Sequence, residues 1–153
     1  MNLEIIGIIG QGFVGSAVRE GLKNFYEIKA YDKDPTRSSN PIGEVVSWSD
    51  IIFVCVPTPM KRSGECDTRI LESVVDELSR IARSLRSRRR PILVIKSTVP
   101  PGTTKKLNKL ASVLDVCFSP EFLTEANHIE DFKNQTRIII GGNTASRCTS
   151  AKK

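Results

Sequence analysis

Short segments that are almost continuously apolar alternate along the chain with segments of helical periodicity. The clearest apolar segments are residues 50–57 and 92–97, "DIIFVCVP" and "ILVIKS". Runs of this length and composition are typical of strands buried on both faces, as in a parallel sheet. From Asp67 to Arg86, apolar residues recur instead along one face of a helix. The alternation predicts an α/β fold with a mostly parallel sheet and helices on both of its faces.

The same patterns place the individual elements. Strands are predicted at residues 3–9, 26–32, 50–57, 92–97, 115–119 and 137–142. Helices are predicted from Val14 onward, from Asp67 to Arg86, and over residues 103–114. Residues 1–142 are therefore expected to form one domain, and the polar tail at residues 143–153 is expected to fray.

Composition places the chain among globular proteins. Its 153 residues are 39% hydrophobic and 26% charged, which supplies enough apolar material for one buried core. No apolar run approaches the length of a membrane-spanning helix, so no membrane contact is expected. The first nine residues include Glu4 and lack a basic segment, which argues against a signal peptide. A cytoplasmic location is the default expectation.

Part of the net charge of +6 is local, because residues 83–90 contain five arginines. Such a cluster suits nucleic acid, an anionic small ligand, or a solvated helix end whose cations complement the helix dipole. No aromatic residues are interleaved with the arginines, and no nucleic-acid-binding motif surrounds them. The solvated helix end is favoured, and no nucleic-acid partner is expected.

The four cysteines do not indicate a metal site, and none is expected. Cys55, Cys66, Cys117 and Cys148 form no closely spaced pair, and His128 is the single histidine. Cys55 and Cys117 lie in apolar runs and are expected to be small buried side chains. Cys66 and Cys148 lie among polar residues and are expected to be free thiols.

A glycine-rich turn follows the first predicted strand and begins the first predicted helix. In "GQGFVG", Gly10 allows the turn, Gly12 admits a pyrophosphate close to the backbone, and Gly15 lets helix and strand pack closely. The free N–H groups at the helix start would face the phosphates. The alternative is an ordinary glycine turn of an α/β protein. The combination of strand, turn and helix favours a dinucleotide site in a doubly wound, Rossmann-like sheet.

An acidic residue stands where a dinucleotide site needs one. Asp32 ends the second predicted strand, 32 − 10 = 22 residues after Gly10. A carboxylate at this place accepts hydrogen bonds from the ribose diol and repels a 2′-phosphate, so NAD is favoured over NADP. Lys33 and Arg37 are close in sequence and leave NADP as an alternative.

Two further loops follow buried strands. "VPTP" at residues 56–59 and "KSTVPPGTT" at residues 96–104 would lie at the carboxyl edge of the sheet, where ligands of open α/β sheets bind. Thr58, Ser97 and Thr98 would place hydroxyl groups in that crevice. The alternative for Thr98 is a helix cap or a hydrogen bond within its loop.

Several motifs taken together resemble one enzyme family. "GQGFVG", "FVCVPTP", "KSTVPPGTT", "SPEFLTEA" and "RIIIGG" occur in the order and spacing of the N-terminal half of UDP-glucose 6-dehydrogenase and related nucleotide-sugar dehydrogenases, over residues 3–142. The resemblance implies an oxidoreductase domain that binds NAD. In this family UDP-glucose is oxidised twice, to UDP-glucuronate, with reduction of two NAD.

The resemblance also implies roles for individual residues. The cofactor would be bound by Gly10, Gln11, Gly12, Phe13, Val14, Gly15 and Asp32, with Thr58, Thr98 and Glu125 beside the nicotinamide. Thr98 and Glu121 would hold a catalytic water, and Glu125 would help to govern the hydrolytic step. The backbone at Phe122 and Leu123 would contact a UDP-sugar.

Glu121 and Glu125 stand four residues apart, which on a helix would place both carboxylates on one face. From spacing alone, an exposed acidic helix start is the favoured interpretation. With the resemblance, a crevice in which carboxylates handle protons and water is favoured. Ala126 replaces the family's usual glycine, and Gln135 and Thr136 replace its usual Pro-Asp, so the loop shape there is expected to differ.

The family's later catalytic parts have no counterpart in this sequence. The family uses a cysteine in a "GGSC"-like motif, a central helix with a lysine and an asparagine, and a UDP-binding domain. The chain is therefore expected to bind NAD(H) without oxidising UDP-glucose alone. A UDP-sugar would bind only where further domains, a partner chain or a homo-oligomer completed the site. The alternatives are a non-catalytic NAD(H)-binding module, one half of a split dehydrogenase and, less favoured, a 6-phosphogluconate-type dehydrogenase.

Overall fold

The computed structural model describes residues 4–85, 90–111 and 113–142. The strands in these residues are β1 (Ile5–Ile9), β2 (Glu27–Tyr31), β3 (Ile51–Val54), β4 (Ile92–Ile95) and β5 (Asp115–Phe118). The helices are α1 (Phe13–Leu22), α2 (Ile42–Trp48), α3 (Arg69–Ser84), α4 (Thr103–Ala111) and α5 (His128–Lys133). The tail at residues 143–153, with Cys148, and part of the arginine cluster lie outside the described residues.

All five strands pair in parallel, in the order β2–β1–β3–β4–β5. The predicted parallel α/β sheet is confirmed. The chain moves from β1 to β2 on one side, then crosses back to β3 on the other side of β1. Ligands of such sheets bind at the carboxyl ends of the strands, where the strand order reverses. The strand order therefore predicts a ligand site at the carboxyl ends of β1 and β3.

Helices cover both faces of the sheet, as predicted. Along β3, Ile52 and Val54 belong to a core that includes apolar residues of α2, α3 and α4. Ile51 and Phe53 alternate with them and pack against the other core, with α1 and Phe132 of α5. This alternation is the two-residue period of a strand. Because both faces are buried, β3 is apolar throughout.

The strand predicted at residues 137–142 is wrong. Within this segment only Gly141 pairs with the sheet, in an isolated antiparallel bridge to Phe118 of β5. The N–H and carbonyl groups of the two residues form both hydrogen bonds, 2.7 and 2.8 Å long. The exposed fractions of Ile138 and Ile139 are 68% and 47%. Two of the three isoleucines in the apolar run that suggested a strand are therefore exposed.

Helix α2 is not evident from the sequence pattern. It is seven residues long and buries only Val45 and Val46, which is too few to reveal a helical period. Pro41 precedes it at the N-cap, where a missing N–H costs no hydrogen bond. Among the described helices, none combines the length and the apolar character needed to cross a membrane.

Asn108 of α4 covers the outer edge of β5. Its side-chain oxygen accepts a hydrogen bond from the N–H of Val116 at 3.0 Å, and its amide nitrogen donates to the Val116 carbonyl at 2.9 Å. The side chain thus satisfies the groups that a neighbouring strand would otherwise pair. Unpaired edge strands promote association with other chains. Asn108 therefore helps to end the sheet at β5.

We expect Asn108→Leu to lower the free energy of unfolding by about 1–3 kcal/mol, because the N–H and carbonyl of Val116 lose their partners. Urea denaturation measures the change. Lys105→Leu, at an exposed position of the same helix, is the control and should change stability by less than about 0.5 kcal/mol. Equal effects of the two substitutions would contradict the edge-covering role.

Candidate functional site

The turn after β1 depends on two glycines for steric reasons. Gly10 has a φ of +91°, and its N–H donates to the carbonyl of Tyr31 at 2.8 Å. A Cβ at Gly10 would lie 2.6 Å from the backbone oxygen of Cys55. A Cβ at Gly15 would overlap the carbonyl oxygen of Gly10. The fold alone therefore explains these two glycines.

Gly12 has no such explanation. A Cβ built at this position meets no atom within 4 Å, and the backbone is extended, with a φ of −76°. Gly12 is the N-cap of α1, so it lies where the helix presents its unpaired N–H groups. A glycine that the fold does not require is consistent with a bound group that must approach the backbone. The second position of a dinucleotide fingerprint has this role.

Asp32 connects the glycine turn to the loop after β2. One carboxylate oxygen accepts a hydrogen bond from the N–H of Gln11 at 2.6 Å, and the other accepts one from the N–H of Asp34 at 2.9 Å. The hydroxyl of Ser38 bridges the backbone of Asp32, accepting from its N–H at 2.7 Å and donating to its carbonyl at 2.8 Å. The carboxylate is thus held rigidly at the end of β2.

A cavity of about 330 Å³ lies beside Asp32, and its lining includes Tyr31, Lys33 and Asn40. Its volume falls in the range of small-ligand sites. Lys33 is therefore close to this region, as its position in the sequence suggested. Arg37, the other nearby cation, forms an exposed ion pair with Asp34 at 3.5 Å.

The two predicted threonine loops meet at the carboxyl edge. The hydroxyl of Thr58 donates to the carbonyl of Thr98 at 2.7 Å, and the hydroxyl of Ser97 donates to the carbonyl of Val56 at 2.6 Å. The hydroxyls of Thr58 and Ser97 therefore fasten the loops to each other. The Thr98 side chain is exposed, and within the described residues its hydroxyl makes no hydrogen bond. Of these hydroxyls, that of Thr98 is the one left available to a ligand.

Glu121 forms a buried ion pair that sequence reasoning missed. Its Oε2 lies 2.9 Å from Nζ of Lys96, and the two side chains are 11% and 5% exposed. Lys96 Nζ also lies 3.3 Å from the hydroxyl of Ser119 and 3.5 Å from the carbonyl of Pro120. Lys96 directly follows β4 and Ser119 directly follows β5. A lysine that ends a fully apolar strand was the available signal, because burying its charge requires a partner.

The expectation that Glu121 and Glu125 share a helix face is wrong. Residues 119–124 have no regular secondary structure, and α5 begins only at His128. Asp131 accepts hydrogen bonds from the N–H and the hydroxyl of Thr124, at 2.8 and 2.6 Å, which fixes the chain in a turn before the helix. These bonds also lower the pKa of Asp131. Glu125 is consequently exposed, whereas Glu121 is drawn inward by its ion pair.

The segment that resembles a sugar-nucleotide contact lies beside another cavity. Phe122 is 54% exposed, and the guanidinium of Arg137 lies 5.6 Å from the centre of its ring. A cavity of about 400 Å³ is lined by Phe122, Leu123, Thr124 and Arg137 among others. The structure therefore brings Arg137 to the predicted substrate segment, although residues 137–142 do not form a strand.

Phe13 links the glycine turn to the chain after β5. Its ring meets the ring of His128 edge-on, with 5.3 Å between the centroids. Val14, the next residue of α1, is half-buried. The first turn of α1 and the first residue of α5 thus lie side by side at this edge. His128, for which the sequence indicated no function, has a packing role.

Cys55, a half-buried cysteine close to Lys96, is not poised as a nucleophile. Burial raises the pKa of the Cys55 thiol to about 12, although the nearby Lys96 acts in the opposite direction. A thiol with this pKa remains protonated at neutral pH. Cys117 is fully buried, as predicted, whereas Cys55 is only partly buried. Cys66 is a free, half-buried thiol.

The two glycine roles predict different effects on stability. We expect Gly15→Ala to lower the free energy of unfolding by at least about 2 kcal/mol, because its methyl group overlaps the Gly10 carbonyl. Gly12→Val should cost about 1 kcal/mol or less, as an N-cap substitution in open space. Urea denaturation of both variants tests the contrast. Losses of equal size would refute the division of roles.

Comparison with known protein families gives an independent match. The NAD binding domain of the UDP-glucose/GDP-mannose dehydrogenase family matches residues 19–153. This match begins after the glycine-rich turn, so the turn and its geometry add a separate observation. The fold and the resemblance drawn from sequence motifs both agree with it.

Individual relatives cover most of this chain but only part of their own length. Identity is 32% to UDP-glucose 6-dehydrogenase of Rickettsia bellii, over 77% of this chain and 27% of that protein. It is 33% to GDP-mannose 6-dehydrogenase of Pseudomonas putida, over 69% of this chain and 26% of that protein. A UDP-glucose dehydrogenase structure from Pyrobaculum islandicum superposes with a TM-score of 0.85 at 25% identity, covering 99% of this chain and 43% of that one.

The chain thus spans about a quarter of the length of these curated relatives. The family match extends over most of the sequence, and the five-stranded parallel sheet has the expected topology. The glycine turn and Asp32 stand at the carboxyl edge, where a dinucleotide is bound in such sheets. The chain therefore belongs to the UDP-glucose/GDP-mannose dehydrogenase family, in which it corresponds to the NAD-binding domain.

Proposed function

We propose that NAD(H) binds along the carboxyl ends of β2, β1, β3 and β4, in that order from adenosine to nicotinamide. The pyrophosphate lies against Gly12 and the helix start, and the adenosine ribose is bound by Asp32. Thr58 and Thr98 lie beside the nicotinamide. The observation that carries this proposal is the open space at Gly12, because the fold does not require a glycine there.

Asp32 is suited to the ribose even though it already has two backbone partners. A carboxylate has about four lone-pair sites, so the bonds from Gln11 and Asp34 leave acceptor capacity for a diol. The same negative charge disfavours a 2′-phosphate at this place. Arg37, one of the two nearby cations, is partly neutralised by its ion pair with Asp34. NAD is therefore the proposed cofactor.

Once further domains or a partner chain complete the site, the proposed reaction is the one named for the chain's relatives, oxidation of a nucleotide sugar at its C6 alcohol. NAD supplies the hydride acceptor when bound. Thr98 contributes an exposed hydroxyl and Glu121 a fixed carboxylate, which together suit a water held at the carboxyl edge. Glu125 lies on the exposed turn nearby, and the backbone at Phe122 and Leu123 borders the cavity proposed for the UDP-sugar.

We expect the wild-type protein to bind NADH with a measurable heat in titration calorimetry, and Gly12→Val to show no binding. A valine at Gly12 occupies the space through which the pyrophosphate reaches the backbone N–H groups. Because a Cβ at this position meets no protein atom within 4 Å, the variant should remain folded.

Ser84→Val is the matched control, since Ser84 is exposed at the end of α3, at the opposite edge of the sheet. It should bind NADH as the wild type does. Binding by Gly12→Val with unchanged affinity would contradict the pyrophosphate site. A folded wild type that binds neither NAD⁺ nor NADH would refute the proposed function.

A further inference from the structure

The ion pair between Lys96 and Glu121 places two opposite charges where the nicotinamide is proposed to lie. Lys96 directly follows β4, and its backbone N–H extends the ladder by donating to the carbonyl of Val54 at 2.9 Å. A dinucleotide whose ribose meets Asp32 at β2 and whose pyrophosphate crosses the turn after β1 extends towards β3 and β4. The ion pair therefore lies at the nicotinamide end of the proposed site.

This pair is charged and shielded from solvent. The side chains of Lys96 and Glu121 are 5% and 11% exposed, and their charged atoms lie 2.9 Å apart. The other oxygen of Glu121 accepts a hydrogen bond from the N–H of Phe122 at 3.0 Å. Buried charges interact over longer distances than solvated ones, because water screens them less. An uncompensated charge at this place would act on a nearby ring.

The ionisable groups of neighbouring loops at this edge leave the charge balance of the pair intact. Cys55, close enough to interact with both members, keeps its proton because burial raises its pKa to about 12. Asp67 is paired with Arg69 at 2.6 Å, so that carboxylate has its own cation. Glu125 is exposed and screened by water. The net charge near the ring therefore depends chiefly on the balance between Lys96 and Glu121.

Oxidised and reduced cofactor differ in charge at the nicotinamide ring. The ring of NAD⁺ is a cation, and the ring of NADH is neutral. We propose that Lys96 sets the preference of the site between NAD⁺ and NADH by neutralising the buried carboxylate of Glu121. Lys96 is a positioning residue that acts through Glu121, and this inference rests on the proposed NAD(H) site.

The proposal predicts opposite effects of removing either partner. In Lys96→Met the unpaired carboxylate attracts the NAD⁺ ring, so the ratio of the NADH to the NAD⁺ dissociation constant rises. In Glu121→Gln the unpaired ammonium repels that ring, so the ratio falls. For a charge about 10 Å from the ring, effective dielectric constants of about 40 to 20 give shifts of about fourfold to sixteenfold. The double variant should return to within about twofold of the wild-type ratio.

The experiment is a titration of NAD⁺ and of NADH, at neutral pH, into the wild type, the two single variants and the double variant. A residue that only supports the fold would change both affinities by the same factor and leave their ratio unchanged. Opposite shifts in the single variants, with recovery in the double variant, support the proposal. Shifts in one direction, unchanged ratios, or a double variant that stays displaced overturn it.

Folding of the variants is checked first by thermal melting. Lys96→Met leaves a buried carboxylate without its cation and is the variant most at risk, whereas replacing both members of a buried pair is often nearly neutral. If Lys96→Met does not fold, comparing Glu121→Gln with the double variant still tests the proposal. Adding Lys96→Met to Glu121→Gln must then return the ratio of the two dissociation constants to the wild-type value. A folded wild type that binds neither cofactor form overturns the proposed NAD(H) site itself, and this inference with it.

Discussion

Parallel pairing of the five strands decides where chemistry can occur in this protein. Each crossover helix returns the chain to the amino end of the sheet, so every loop that leaves a strand lies at the same, carboxyl edge. This constraint brings together the loops of the candidate site: the glycine turn, Asp32, the Thr58 loop, the Lys96–Thr98 loop and Glu121. Their hydrogen bonds join loops that are far apart in sequence, such as Thr58 to Thr98 and Gln11 to Asp32.

Much of the fold was predictable because the two periods of the sequence are strong. Strands buried on both faces leave uninterrupted apolar runs, and α3 has enough turns to show its apolar face. The short helix α2 was missed because only two of its residues are buried. The apolar run at residues 137–142 was misassigned, because a strand also needs a partner edge, and Asn108 already occupies part of the edge of β5.

The site was predictable where a residue is required by local geometry and not where it depends on a distant partner. Gly10, Gly12 and Gly15 could be recognised from their spacing, and the structure separates the two that serve the fold from the one that does not. Lys96, at the end of an apolar strand, signalled that a partner is needed but not which one, since Glu121 belongs to the loop after the next strand. The same ion pair, with the turn fixed by Asp131, explains why Glu121 and Glu125 do not share a helix face.

The central claim is that the cofactor lies across the carboxyl ends of β2, β1, β3 and β4, and amide chemical shifts test it most directly. In a titration of isotopically labelled protein with NAD⁺, we expect the largest changes at residues 10–15, Asp32, residues 56–58 and residues 96–98. Amides at the opposite edge, such as those near Trp48 and Asp115, should change little. Changes concentrated at that opposite edge, or none at the glycine turn, would contradict the account.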